Sequence, residues 1–199
     1  AAAKLGAESY FIGMVGDDPF GHFLKDTITN YGVNTSYLKM TKKAKTALAF
    51  VSLAEDGQRD FSFYRNPSAD LLLDKSDVEE VEFTSEDYIS FGSVDLVEYP
   101  VKYATEYLLQ KAKAANATIL FDPNIRKDLW DDLEECRETV LSFMKYANIV
   151  KMADDEVEFI TGKSTVKEAI EVVKHYGVEH VIVTYGPEGS DAYLKHCHS

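Results

Sequence analysis

The chain has 199 residues, 45% hydrophobic and 28% charged, with 34 acidic against 21 basic side chains and a formal net charge of -13. That size and composition support one α/β domain with a packed core and at most a small appendage. The acidic surplus disfavours nucleic acid or an anionic membrane as main partner, and no apolar run approaches the roughly 18–20 residues of a membrane span.

Only Cys136 and Cys197 occur, so no disulfide framework is implied, and a reducing cytoplasm is the natural compartment. Ala1-Ala2-Ala3-Lys4-Leu5-Gly6 lacks the layout of a signal peptide. It reads as the end of a helix without an N-cap, stopped by Gly6. The final residues follow a strand pattern with no closing element, so both ends are expected to be cut.

Residues 9–15 are apolar and predict a strand. Asp17 or Asp18 then caps a helix with Pro19 at its first position, and Gly32 stops it. Phe20, Phe23, Leu24, Ile28 and Tyr31 recur along that helix at helical spacing. Residues 46–53 alternate, Glu55-Asp56-Gly57-Gln58 turns, and residues 59–65 alternate again, which predicts a β-hairpin with Asp-Gly at its tip. Phe61 and Phe63 share one face of it; Asp60, Ser62 and Tyr64 share the other. A hairpin set inside a β-α-β series is expected to stand off the main sheet as a lid. This gives residues 1–45 and 66–199 as the body and 46–65 as the lid, whose aromatic face must be covered by a sugar, a second subunit or the domain itself.

Beyond the hairpin, Leu71 to Leu73 are expected to be buried and residues 88–91 form a strand ending at Gly92-Ser93. A helix over 100–115 turns Val101, Ala104, Leu108 and Ala112 inward. Residues 118–121 form a strand of which Ile119, Leu120 and Phe121 show no alternation, as in a strand buried on both faces. A helix over 131–146 carries Leu133, Val140, Leu141 and Met144, and residues 148–151 form a short strand. Asp154 or Asp155 caps the next helix, and Ser164 or Thr165 the one after, with Val166, Ala169, Ile170, Val173 and Tyr176 inward and Gly177 as stop. A strand over 181–184 and a return strand over 191–194 close the series. Strands alternating with helices predict a doubly wound, mostly parallel α/β sheet with helices on both faces.

Four polar clusters follow strands: Gly92-Ser93, Asp122-Pro123-Asn124-Ile125-Arg126, residues 151–156, and residues 184–189. Such a sheet gathers strand ends at one edge, where ligands sit. Asp122, Asn124 and Arg126 put a carboxylate, an amide and a guanidinium into five residues; Arg suits phosphate, carboxylate or polyol oxygens. The alternative is a strand-to-loop turn in which Asp and Arg pair with each other. Thr184-x-Gly186-x-x-Gly189 is either an approach to a nucleotide or a plain tight turn. Glu156 either holds Mg²⁺ through water or is one more acid at an acidic helix start. Asp17 and Asp18 read as caps before ligands, and His196-Cys197-His198 makes a poor metal site because its residues are adjacent.

In combination these segments resemble the ribokinase/PfkB-type sugar kinases, most closely their fructokinase branch. Gly6 and Gly16 match the tail of that family's first signature, and Val15-Gly16-Asp17-Asp18-Pro19-Phe20-Gly21 looks like its "GDDxFG" turn. Phe63-Tyr64-Arg65-Asn66-Pro67-Ser68-Ala69-Asp70 is typical of the return from the family's β-flap. Phe91-Gly92-Ser93, Asp122 to Arg126 with Leu129-Trp130, Lys151 to Glu156 with Thr161-Gly162, and Val183 to Gly189 are similar to further family segments. The resemblance covers essentially the whole chain. It departs from the pattern at Ala153, where the "N-x-x-E" segment has Asn. The family's first strand with its Gly-Gly sugar loop and its "G-A-G-D" segment, with anion hole and general base, do not occur among these residues.

The resemblance implies a ribokinase-like fold and transfer of the γ-phosphoryl of ATP to a sugar hydroxyl, fructose being favoured; the lid's aromatic face adds the expectation of a homodimer through the lid. It implies Arg126 as the catalytic contributor and Phe63, Arg65, Asp122, Asn124 and Arg126 as sugar contacts. Lys151, Thr184, Gly186 and Gly189 would border ATP, and Glu156 would hold Mg²⁺ through water. The 199 residues alone are expected to be inactive. The alternatives are a 2-keto-3-deoxygluconate kinase, which shares the Asp-x-Asn-x-Arg-x-x-Leu-Trp pattern, and a non-catalytic sugar-binding or dimerisation module.

Overall fold

A computed structural model describes residues 1–53 and 59–195. The hairpin tip at Glu55-Asp56-Gly57-Gln58 and His196-Cys197-His198 lie outside the described residues. The chain divides into two compact units, Ala1–Val81 with Tyr99–Ala104, and Glu82–Glu98 with Thr105–Ser199.

In the first unit, strand β1 (Ser9–Tyr10) pairs in parallel with β3 (Val33–Asn34), and β2 (Gly13–Gly16) with β4 (Leu38–Thr41). The single strand expected over 9–15 is therefore split. Its partner is interrupted by a turn in which Asn34 Oδ1 accepts the Ser36 N–H at 2.9 Å and the Leu38 N–H donates to Thr35 O at 3.1 Å. Helix α1 (Pro19–Asn30) is capped by Asp18, and Gly32 beyond it has a left-handed φ of 82°. Its apolar stripe does not face a core: Phe20, Phe23, Leu24 and Tyr31 are exposed, and its buried residue is Gly21. The contact with β2 runs through that side-chain-free position.

Strands β5 (Leu48–Leu53) and β6 (Arg59–Tyr64) form an antiparallel two-stranded sheet of their own. The first strand starts two residues later than expected because Thr46 is a buried anchor at the hairpin root. Register puts Phe50 opposite Ser62 and Leu48 opposite Tyr64, so Phe50 joins Tyr64 on one face. Their rings meet edge-on at 5.3 Å and both are exposed, whereas Phe63 is half-buried. Behind the hairpin Leu71 and Leu73 are buried and Leu72 between them is half-buried, so the run expected to be buried throughout is buried at its two ends; Ala69 is buried too.

The second unit holds a five-stranded mixed sheet ordered β11-β10-β9-β8-β7, built from β7 (Tyr88–Phe91), β8 (Thr118–Phe121), β9 (Ile149–Ala153), β10 (His180–Thr184) and β11 (Ser190–Tyr193). The first four are parallel and β11 returns antiparallel to β10. Helices α2 (Pro100–Ala114), α3 (Leu133–Phe143), α4 (Asp154–Thr161) and α5 (Val166–His175) make the crossovers. Strands β7 to β10 follow one another without a reversal of order, and the buried residues of the connecting helices join one cluster against one face of the sheet. The strands show it: Ile119, Phe121, Val150, Met152, Val181 and Val183 are buried, while the alternate residues are half-buried. The uniform burial expected of Ile119, Leu120 and Phe121 is thus an alternation.

The buried strand residues join Leu109, Cys136, Val140, Ile160, Ala169 and Val173 in one cluster. Phe91 stacks on Phe121 with ring centres 4.3 Å apart. Along α3 the buried stripe is Cys136, Thr139, Val140 and Phe143; of the residues expected inward, Val140 and Met144, just beyond the helix, are buried, Leu141 is half-buried and Leu133 is exposed. Leu133 is the first helical residue and lies beyond the end of the core. Burial raises the Cys136 thiol to about 11, which leaves it a neutral apolar filler. Thr165 caps α5, with Ala169, Ile170 and Val173 buried along one face. Among the described residues no helix is long and apolar enough to cross a membrane.

Candidate active site

Parallel strands β8, β9 and β10 end side by side, so the residues that follow them are brought to one edge by the sheet itself. Asp122 lies immediately after β8, Lys151 within β9, Glu156 in the first turn of α4, and Thr184 at the end of β10. Lys151 Nζ stands 3.3 Å from Asp122 Oδ1 and 3.2 Å from Oδ2, both side chains about one-third exposed. The carboxylate of the polar cluster is therefore paired with a lysine from the neighbouring strand.

Gly92, after β7, completes the row. A Cβ there would lie 3.1 Å from Asp122 O, and the next N–H, of Ser93, donates to Pro123 O at 2.9 Å. A side chain at residue 92 would push the two loops apart. Asn124 has φ 43°, a left-handed conformation that Asn tolerates better than most non-glycine residues. Ile125 follows, and Arg126 Nη1 donates to Ile125 O at 3.1 Å. Asn124 is exposed and Arg126 half-buried.

Glu156 faces two backbone donors. Its Oε2 accepts the Ala153 N–H at 2.9 Å and its Oε1 accepts the Ile125 N–H at 2.6 Å. The cap expected of Asp154 or Asp155 is thereby corrected: the N-cap position is Ala153, which has no side-chain acceptor, and Glu156 reaches back from the third helical residue. Among the described residues no three His, Cys, Asp or Glu side chains gather as a metal site. This donor set does not fit a metal bound directly by the protein.

The Thr184–Gly189 segment joins β10 to β11 as a tight turn. Tyr185 N–H donates to Gly189 O at 2.8 Å and Glu188 N–H to Tyr185 O at 3.0 Å, with Gly186 and Gly189 at φ 55° and 108°. These amides are engaged within the turn, so what the segment offers is a side-chain-poor surface for close approach of a flat group. Thr184 Oγ1 lies 3.5 Å from Met152 O, at the limit of a hydrogen bond. Partial desolvation, with Tyr193 and Asp191 nearby, raises the Tyr185 phenol, which stays protonated at neutral pH.

Phe63 and Arg65 belong to the first unit. Arg65 Nε donates to Asp70 Oδ2 at 2.6 Å, and Ser68 Oγ donates to the other oxygen of that carboxylate at 2.5 Å. Arg65 is thus anchored at the base of β6.

Sequence reasoning did not single out the Glu156–Ile125 link, the Lys151–Asp122 pair, or Thr46 and Asp70 as anchors. Each joins residues whose proximity is set by strand pairing or a turn. The one legible signal was a glutamate at the third residue of a helix whose cap position is alanine.

The model of the pfkB family carbohydrate kinases matches residues 1–198. The chain belongs to the pfkB carbohydrate kinase family. This pfkB-family chain is 37% identical to fructokinase-2 of Solanum lycopersicum over all 199 residues, which span 61% of that relative. Its fold is similar to that of the Vibrio cholerae O395 fructokinase in its fructose-, ADP- and calcium-bound form. The TM-score is 0.90 at 30% identity, over 98% of this chain and 63% of that one. A fructokinase from Xylella fastidiosa with bound ATP matches with a TM-score of 0.85 at 30% identity, over 98% of this chain and 62% of that one. The pfkB-family chain therefore spans about three fifths of the length of these relatives.

Proposed function

We propose that the protein carrying this chain is an ATP-dependent sugar kinase that converts fructose to fructose 6-phosphate. The observation that carries the reading is the similarity, over nearly the whole chain, to a fructokinase whose structure holds fructose and ADP. The row of polar groups at the ends of β8, β9 and β10 supports it.

In this reading the Asp122 carboxylate accepts hydrogen bonds from sugar hydroxyls, Asn124 accepts through its oxygen and donates through its NH₂, and Lys151 holds the Asp122 carboxylate in place. Arg126 steadies the sugar or the transferring phosphoryl group with a planar set of donors. Phosphoryl transfer relies on positioning and charge neutralisation more than on covalent help from the protein. Gly186 and Gly189 let the nucleotide base approach the β10–β11 turn, with Thr184 and Lys151 beside it. Phe63 and Arg65 are proposed sugar contacts from the hairpin. Mg²⁺ is proposed to arrive on the phosphates of ATP, where it neutralises charge. No step is assigned to a protein-bound metal.

We place the enzyme in the cytoplasm, in keeping with its two cysteines and the buried, neutral thiol of Cys136. With a net charge of -13, its partners are small molecules before nucleic acid or membrane. A homodimer through the hairpin is proposed from the exposed Phe50–Tyr64 pair and from Val51.

The test is a coupled ADP-release assay on the intact protein with fructose and, in parallel, 2-keto-3-deoxygluconate. Turnover on fructose supports the proposal. Turnover on the keto-acid alone would reassign Arg126 to a carboxylate, and sugar binding without turnover would favour the non-catalytic module.

A further inference from the structure

Glu156 sits where two strand ends meet. Helix α4 starts directly after β9, with no connecting residues, and its cap position has no side chain able to accept a hydrogen bond. The glutamate folds back over that gap, and one oxygen takes the Ala153 N–H. The other crosses to the loop after β8 and takes the N–H of Ile125, 31 residues earlier. Ile125 is the residue between Asn124 and Arg126. The backbone just before it is left-handed at Asn124, which aims the chain of residues 124–126 in a direction that Asn adopts more readily than most side chains.

We propose that Glu156 is a positioning residue: its carboxylate staples the backbone of residues 124–126 to the start of α4, so that the Asn124 and Arg126 side chains are presented together. This rests on the proposed function only in naming those side chains as substrate contacts. Both carboxylate oxygens are needed, because each faces an N–H donor. An amide has one acceptor oxygen and turns its NH₂ toward the second donor, so Glu156→Gln keeps the size and breaks one arm. Glu156→Asp keeps the charge and both acceptors but shortens the reach by one methylene. A residue that served Mg²⁺ through water would instead show its effect in the metal dependence.

The test uses the intact protein and two readouts. Amide hydrogen exchange reports the staple without any activity: in Glu156→Gln, protection at Ile125 is expected to fall at least tenfold while amides within β9 and β10 are unchanged. Steady-state kinetics report its consequence: KM for the sugar is expected to rise about tenfold, with the Mg²⁺ activation constant moving less than twofold. Unchanged Ile125 exchange would overturn the proposal, and a Mg²⁺ activation constant raised tenfold beside it would give Glu156 to the metal instead. Altered exchange in a protein with no kinase turnover would leave the staple standing and remove the functional reading. Glu156→Asp carries the same two readouts should the glutamine variant fail to fold.

Discussion

Asp18 and Thr46, 28 residues apart, bond to each other through both side chain and backbone: Thr46 Oγ1 donates to Asp18 Oδ1 at 2.9 Å and the Thr46 N–H to Oδ2 at 2.9 Å. Asp18 Oδ1 also accepts the N–H groups of Phe20 and Gly21, and Thr46 Oγ1 accepts the N–H of Gly16 at 3.0 Å. One carboxylate thus caps α1 and fixes the root of the hairpin. The Ala69 N–H, donating to Lys45 O at 2.8 Å, closes the other leg.

These donors lower Asp18 from 3.8 to about 2, the Thr46 N–H contributing most. A carboxylate depressed in the folded state adds stability that is present above its unfolded value and lost as pH falls from 3.8 through 2. Asp18→Asn should therefore flatten the acid limb of the stability curve in that window. Asp18→Ala is expected to cost roughly 2–4 kcal/mol at neutral pH, from a lost cap and the unpaired Thr46 donors. Urea unfolding at several pH values checks both.

Gly21→Ala in a helix interior would ordinarily stabilise by up to about 1 kcal/mol. Here the opposite is expected, a loss of roughly 1–3 kcal/mol, because the added Cβ would lie 2.0 Å from Gly16 O. Gly16 is bound by the same packing: a Cβ there would meet Asp18 Oδ2 at 2.4 Å and Thr46 N at 2.6 Å. Thermal unfolding of the two alanine variants reads this directly.

Arg126→Lys keeps the charge and loses the planar fork. In the intact protein, on the proposed function, it should lower kcat/KM for fructose by about 10²-fold, the scale of a lost transition-state donor. Wild-type turnover in this variant would move the phosphoryl-steadying role elsewhere.

A polypeptide of these 199 residues alone, which contains no Gly-Ala-Gly-Asp segment, should show no fructose-dependent ADP release. A missing general base costs about 10²–10⁴-fold, and each missing anion-hole donor about 10²–10³-fold. Both deficits act on one transition state. Comparable turnover in this polypeptide and in a longer one containing such a segment would show that the residues described here suffice.

The sequence by itself determined the elements whose cause is local. The existence of strands β7 and β8, the Asp18 cap with Pro19 after it, the Gly32 and Gly177 stops, and the stripe of Ala169, Ile170 and Val173 all follow from short apolar runs, helical periodicity or single residues with fixed backbone preferences. Its motifs also determined the family. The tertiary structure decided whatever depends on who lies next to whom. Pairing to two partners broke residues 9–15 into β1 and β2, and the close approach at Gly21 left the Phe20, Phe23 and Leu24 stripe outside. The lengths of β8 and β9 brought Ile125 within 2.6 Å of Glu156, and Asp122 within reach of Lys151. A side chain's type is written in the chain, but a hydrogen bond has a reach of about 3 Å, and only the folded backbone decides which donors fall inside it.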